Sequence, residues 1–161
     1  MSMSAAPATL DRAAIAARIP HQGGMCLLDA VEAWDEHTIR CRATSHRTAD
    51  NPLREGGALP AASAIEYAAQ AMAVHGALLA PPATTPRMGF LASVRSVTFH
   101  VARLDALAAE LEIRAERVSG DANSVLYAFT VSAAGAPVAS GRAAVILDAG
   151  RLAGAPFGSP A

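Results

Sequence analysis

The stretch Ser63–Leu79, SAIEYAAQAMAVHGALL, constrains the fold more than any other part of the chain. It is long enough for more than about four helical turns, and nearly every side chain is small or apolar. A helix that is apolar all round has to be covered all round. The remaining chain must therefore supply a layer that wraps it. Within this run a carboxylate, Glu66, and a carboxamide, Gln70, lie one turn apart on one face, with Ser63 a turn earlier. His75 comes nine residues after Glu66, which at about 100° per residue puts it on the opposite side of the helix.

The flanking sequence supplies strands. Residues 1–8 read as a tail, and Thr9 is placed to cap a short helix through Arg18 that Ile19-Pro20 ends. MCLLDAVEA (25–33) reads as a mostly buried strand or the start of one, followed by a turn at residues 34–37. TIRCRATS (38–45) then alternates Ile39, Cys41 and Ala43 against Arg40, Arg42 and Thr44, the pattern of a strand with one wet face. A polar Gly- and Pro-bearing loop (47–60) leads into the helix, and APPATTP (80–86) stops it. Four further strands are predicted at 87–101, 105–119, 123–134 and 137–147, with hairpin turns at GDAN (120–123) and AAGAP (133–137). The sum is an α+β fold: one long central helix wrapped by a curved antiparallel sheet, over residues 19–149. Residues 1–18 form a tail and short helix, and 150–161 a second tail.

At 161 residues, 52% hydrophobic and 17% charged, the chain has room for one well-formed core. Its net charge of −1 gives no electrostatic case for nucleic acid. Cys26 and Cys41 lack disulfide-framework and metal-ligand spacing and read as buried thiols, so no metal is called for. Charged residues interrupt the N-terminal segment, and no apolar run is long enough for a membrane helix, so a cytoplasmic protein is expected.

A carboxylate on a buried helix is costly unless it is paired, neutralised or used. Desolvation favours its neutral form and the helix dipole its charged form, a balance suited to acid/base work near neutral pH, with Gln70 able to hold the carboxylate or a reacting water. The plainer reading has Glu66 in an exposed first turn and Gln70 as a satisfied core amide; chemistry alone leaves both open.

Three segments in the right order resemble a known family. IPHQGGMCLLDAV (19–31) resembles the opening of the hot-dog-fold 3-hydroxyacyl-[acyl-carrier-protein] dehydratases, AIEYAAQAMA (64–73) their central-helix signature, and GFLASVRSVTFHVARLD (89–105) a later strand. The run IEYAAQAMAVHGALL, with NPLR (51–54) upstream, is similar to dehydratase-like subunits of aryl-polyene and related polyketide-type pathways. The resemblance implies a hot-dog fold, a dimer with an acyl tunnel at its interface, and an acyl carrier protein as the partner that delivers substrate. It also implies a cofactor-free dyad, in which a His of one subunit removes the α-proton of a 3-hydroxyacyl thioester. The helix Glu of the other subunit protonates the leaving hydroxyl. Glu66 falls on that Glu and Gln70 on the motif's Gln.

The family's His is expected about fourteen residues before the Glu, in a G-H-F-P segment. Counting back from Glu66 reaches Pro52, and NPLREGGALP (51–60) contains no His. His46, where the second strand enters the loop, is the nearest upstream imidazole and the candidate base. Alternatively Glu66 acts alone or with another group, or the chain is a non-catalytic subunit that pairs with an active hot-dog homologue. An acyl-thioester hydrolase is a further reading, because the same helix acid also supports water attack. Ser63, Gln70 and Arg54 are candidate substrate contacts, and Arg54, Arg87 and Arg95 candidate docking residues for an acidic carrier protein. His21 is expected to bond backbone at the start of the first strand, with His37 and His100 structural.

Overall fold

The computed structural model describes residues 9–80, 90–121 and 123–146. Helix α2 (Ala64–Leu79) is entered through a 3-10 turn at Ala61–Ser63, so Ser63 is already in right-handed helical conformation and its hydroxyl makes no cap bond. Around the helix runs one antiparallel sheet of seven strands: β1 (Leu10–Asp11), β2 (Ala30–Trp34), β3 (Thr38–Ala43), β4 (Phe90–Phe99), β5 (Leu111–Gly120), β6 (Ser124–Ala133) and β7 (Ala136–Ile146). Their spatial order is β1-β2-β3-β5-β6-β7-β4. The helix packs on β3, β5 and β6 and reaches β7, whereas β4 overhangs it at the sheet edge.

Alternation decides which face of the sheet meets the helix. Ile39, Cys41 and Ala43 of β3, Leu111, Ile113 and Ala115 of β5, and Val125, Tyr127, Phe129 and Val131 of β6 are all buried against α2. The opposite face carries Glu32, Arg40 and Arg42, with Arg40 in ion pairs to Glu32 and Glu112, and Arg42 to Glu32 and Glu110. The turn between β6 and β7 is a two-residue hairpin at Ala134-Gly135, both with positive φ (51° and 80°), the conformation that matches the twist of the flanking strands.

The expected elements are present with shifted ends. The short first helix, α1, covers only Arg12–Ala16, and its cap is Asp11 rather than Thr9: Ala14 N–H donates to Asp11 Oδ1 at 2.9 Å. The predicted strand at 25–33 begins five residues later. Gly23–Met25 form a 3-10 turn, and Cys26–Leu28 are buried in extended backbone beneath the helix's polar stripe. Cys26 and Cys41 are free, buried thiols; burial raises the pKa of both, that of Cys41 to about 12. The segment APPATTP beyond Ala80, Arg87 and both tails lie outside the described residues.

Candidate functional site

The polar stripe of α2 divides in two. Gln70 is buried and fully engaged: Leu27 N–H donates to its Oε1 at 2.9 Å, and its Nε2 donates to the Met25 carbonyl at 2.7 Å. It ties the 25–28 segment to the helix, replacing the ladder bonds that this segment does not make. Glu66, one turn earlier, is exposed in the first turn and has no hydrogen bond or ion pair with a described residue. Ser63 is buried just before it. The stripe therefore holds one committed amide and one open carboxylate.

Behind Glu66, a chain of hydroxyls fixes the loop onto the helix. Asn51 Nδ2 donates to the Tyr67 hydroxyl (3.2 Å), Tyr67 donates to Ser45 Oγ (2.7 Å), and Ser45 donates to the Leu27 carbonyl (2.7 Å). Asn51 also reaches the Ser45 carbonyl (2.9 Å) and accepts from Leu53 N–H (2.8 Å). Asp29 holds the end of β3 by accepting from the Thr44 amide and hydroxyl. Burial raises the Tyr67 pKa, so its hydroxyl stays a donor. None of these residues was a candidate from the sequence. Tyr67 was within the quoted motif, and Asn51 stands one position before Pro52, where the family's His was sought.

His46 is fully buried, in a 3-10 turn at Ser45–Arg47. Its Nε2–H is shared between the carbonyls of Leu107 (3.1 Å) and Ala109 (3.0 Å), which leaves Nδ1 as the lone-pair nitrogen, buried and without a partner. Desolvation lowers its pKa, so the ring is held neutral. Arg47 bonds the Ala108 carbonyl between those two (2.6 Å), so the turn buckles β3 to the 107–109 loop. The structure brings His46 and Glu66 into no hydrogen bond.

Arg54 is likewise engaged inside its own loop. It donates to the carbonyls of Thr48 (2.8 Å) and Gly57 (2.6 Å) and lies 3.9 Å from Asp105. Asp105 also accepts from Arg103 and from Leu59 N–H; the Arg103 contact first and the amide second hold its carboxyl well below the usual range. The bond expected from His21 to backbone is not made by its Nδ1, which is buried and unpartnered. His75 faces away from Glu66, as the helical spacing requires: its Nε2–H donates to the Asp35 carbonyl and its Nδ1 accepts from Tyr127, both at 2.7 Å.

A single helix wrapped by an antiparallel sheet in this strand order is the hot-dog fold, the class that the sequence resemblance implied. Solved hot-dog structures superpose on it. A chain of the dehydratase heterocomplex ApeI:P from Xenorhabdus doucetiae is 24% identical with a TM-score of 0.69, over 83% of this chain and 90% of that one. A putative thioesterase from Silicibacter is 16% identical, TM-score 0.59, over 85% and 91%. A thioesterase from Pseudomonas aeruginosa is 15% identical, TM-score 0.57, over 86% and 94%. At such identities these likenesses establish the fold. No curated protein matches the chain in sequence. The sequence profile of the ApeP-like family, described as ApeP dehydratase, matches residues 13–151, and the chain belongs to that family.

Proposed function

We propose that this chain is the glutamate-bearing half of a two-subunit dehydratase that acts on 3-hydroxyacyl thioesters of acyl carrier protein. The observation that carries the reading is the contrast within one small region. Glu66 is open to an incoming group, while His46, the nearest imidazole before it in sequence, is buried with its N–H held by two carbonyls. A general base needs reach to the proton it removes, and a sealed imidazole has none. The base is then supplied by a second hot-dog subunit. Its His takes the proton from C2, Glu66 gives a proton to the hydroxyl leaving C3, and the products are a 2-enoyl thioester and water.

The place for that subunit is the β4 edge. Among the described residues strand β4 has no neighbour on its outer side, and its helix-facing Leu91 (37% exposed) and Phe99 (42%) overhang α2. A ten-residue edge strand with exposed apolar side chains is a template for a further strand. The ApeI:P complex is by its description a dehydratase heterocomplex, which supports the same arrangement here.

The test is turnover of a 3-hydroxyacyl carrier-protein thioester by this chain reconstituted with a His-bearing hot-dog subunit from its own pathway. Glu66→Gln is expected to lower the rate by about 10²–10⁴ without changing assembly or Tm. His46→Gln is expected to lower Tm and retain most of the turnover. Full activity in Glu66→Gln removes that residue from the mechanism. Full activity of the chain alone, lost in His46→Gln at unchanged Tm, assigns the base to His46 instead. Release of free acid in place of enoyl thioester would make the protein a hydrolase.

A further inference from the structure

The sheet face turned away from α2 carries an arginine pair that the reading above does not use. Arg95 of β4 and Arg142 of β7 are direct cross-strand partners, both exposed. Like charges placed opposite each other destabilise a sheet. Elsewhere on this face Arg40 and Arg42 are matched by Glu32, Glu110 and Glu112, but neither Arg95 nor Arg142 has a carboxylate within ion-pair distance among the described residues. The in-register neighbour of Arg142 on β6 is Ala128, and the first carboxylate along that row is Glu116, a further strand away. That is two strand spacings, about 10 Å.

Arg95 and Arg142, with Ser93, Leu126, Ala143 and Ala144, line a hollow of about 300 Å³. A β-bulge builds it. Leu91 pairs with Val145 but Ser93 with Ala144, so one extra residue turns Ser93 from the helix-facing side to the side of Arg95. A second irregularity, between Arg95 and Thr98, includes Ser96 at φ 55°. The hollow is lined by β4, β6 and β7 only, and Arg142 lies one strand in from the edge. A subunit added along β4 would lie two strand spacings from Arg142, so the hollow belongs to this chain.

We propose that this hollow binds a phosphate ester with a small apolar body. Two arginines paired across neighbouring strands and a serine on the same face offer more donors than the two oxygens of a carboxylate can accept, whereas the terminal oxygens of a phosphate can engage both arginines. Leu126 and Ala144, on the same face as the arginines, give the ester's organic part an apolar floor, with the Ala143 backbone between Arg142 and Ala144, and the volume suits a small molecule. The site is on the opposite side of the sheet from α2 and does not depend on the dehydratase reading.

Titration of the full chain with phenyl phosphate, benzoate and phenol, followed by calorimetry, tests it. Phenyl phosphate is expected to bind saturably, benzoate about tenfold more weakly and phenol not at all. Arg95→Gln and Arg142→Gln should each weaken phenyl phosphate about tenfold or more, while Arg114→Gln, on the same face outside the hollow, leaves it unchanged. In phosphate-free buffer either hollow variant should keep or raise Tm, because it relieves a like-charge pair. Equal losses in Arg114→Gln would reduce the effect to general surface charge. Benzoate binding as tightly as phenyl phosphate, absence of saturable binding, a fall in Tm of the variants, or loss of the site when a partner subunit assembles would each overturn the proposal.

Discussion

Gln70 illustrates how one side chain can serve a fold while it sits in a motif associated with chemistry. Its two bonds take the place of strand pairing for Met25 and Leu27, whose segment runs beneath the helix before β2 begins. Gln70→Leu keeps the volume but leaves the buried Leu27 N–H without a partner, which costs about 1–3 kcal/mol. A Tm lower by several degrees is expected, together with faster exchange of the Leu27 amide; an unchanged Tm would show that the segment is held by packing alone. The two buried imidazoles make a second residue-scale prediction. His46 and His75 are both shifted below their ordinary value of 6.5, chiefly by desolvation. The unfolded chain therefore binds protons near that pH which the native state does not. Stability is unaffected well above it and falls as pH drops through it. The urea midpoint should decline between about pH 7 and 5, and more gently in His75→Gln; an identical slope would discount His75.

At the scale of elements, the β4–β7 pair depends on a single glycine. A Cβ at Gly141 would stand 3.0 Å from Phe129 Cζ, 3.1 Å from Val97 Cγ2 and 3.2 Å from the Arg95 carbonyl. The aromatic ring can yield a little, but the backbone oxygen is fixed by the bulge of β4. Gly141→Val is expected to destabilise by about 1–3 kcal/mol and to loosen β4, read as lower Tm and faster amide exchange in that strand. Retained protection of β4 would mean that the bulge adapts. The central helix needs no comparable device. Its small residues let the sheet close on it, and its two buried polar ends of contact, Gln70 and His75, each find partners on the element they face.

At the scale of the molecule, the exposed apolar strip among the described residues is on β4, where α2 does not reach, and the proposed assembly can be tested there. Phe99→Asp is expected to abolish assembly with a second hot-dog subunit, by size-exclusion chromatography, while leaving the single chain folded by circular dichroism. Assembly at wild-type strength would move the interface elsewhere. The wrapped-helix architecture was legible from SAIEYAAQAMAVHGALL, because an apolar helix admits few other solutions, and the alternating segments that surround it settle which face each strand turns inward. Strand ends were less legible. The 25–33 run is apolar enough for a strand, yet its first residues make a 3-10 turn and are held by Gln70 instead of by a neighbour. The candidate site was legible in part: the shared face of Glu66 and Gln70 and the opposite facing of His75 follow from helical period, while the exposure of Glu66 and the burial of His46 do not.

What the sequence determined by itself was everything governed by local periodicity and by order along the chain: one helix, the strands around it, the polar stripe with Glu66 on it, and the family to which these motifs point. Only the tertiary structure decided which polar groups were already taken. His46, Arg54 and Gln70 each looked available in the sequence and are each engaged by backbone groups, the partners of His46 lying sixty-one and sixty-three residues away in the chain. Asn51, Tyr67 and Ser45 became a connected chain of donors only once the loop folded back on the helix. The physical reason is that a hydrogen bond depends on proximity in space, which sequence spacing reports within one element and conceals between elements.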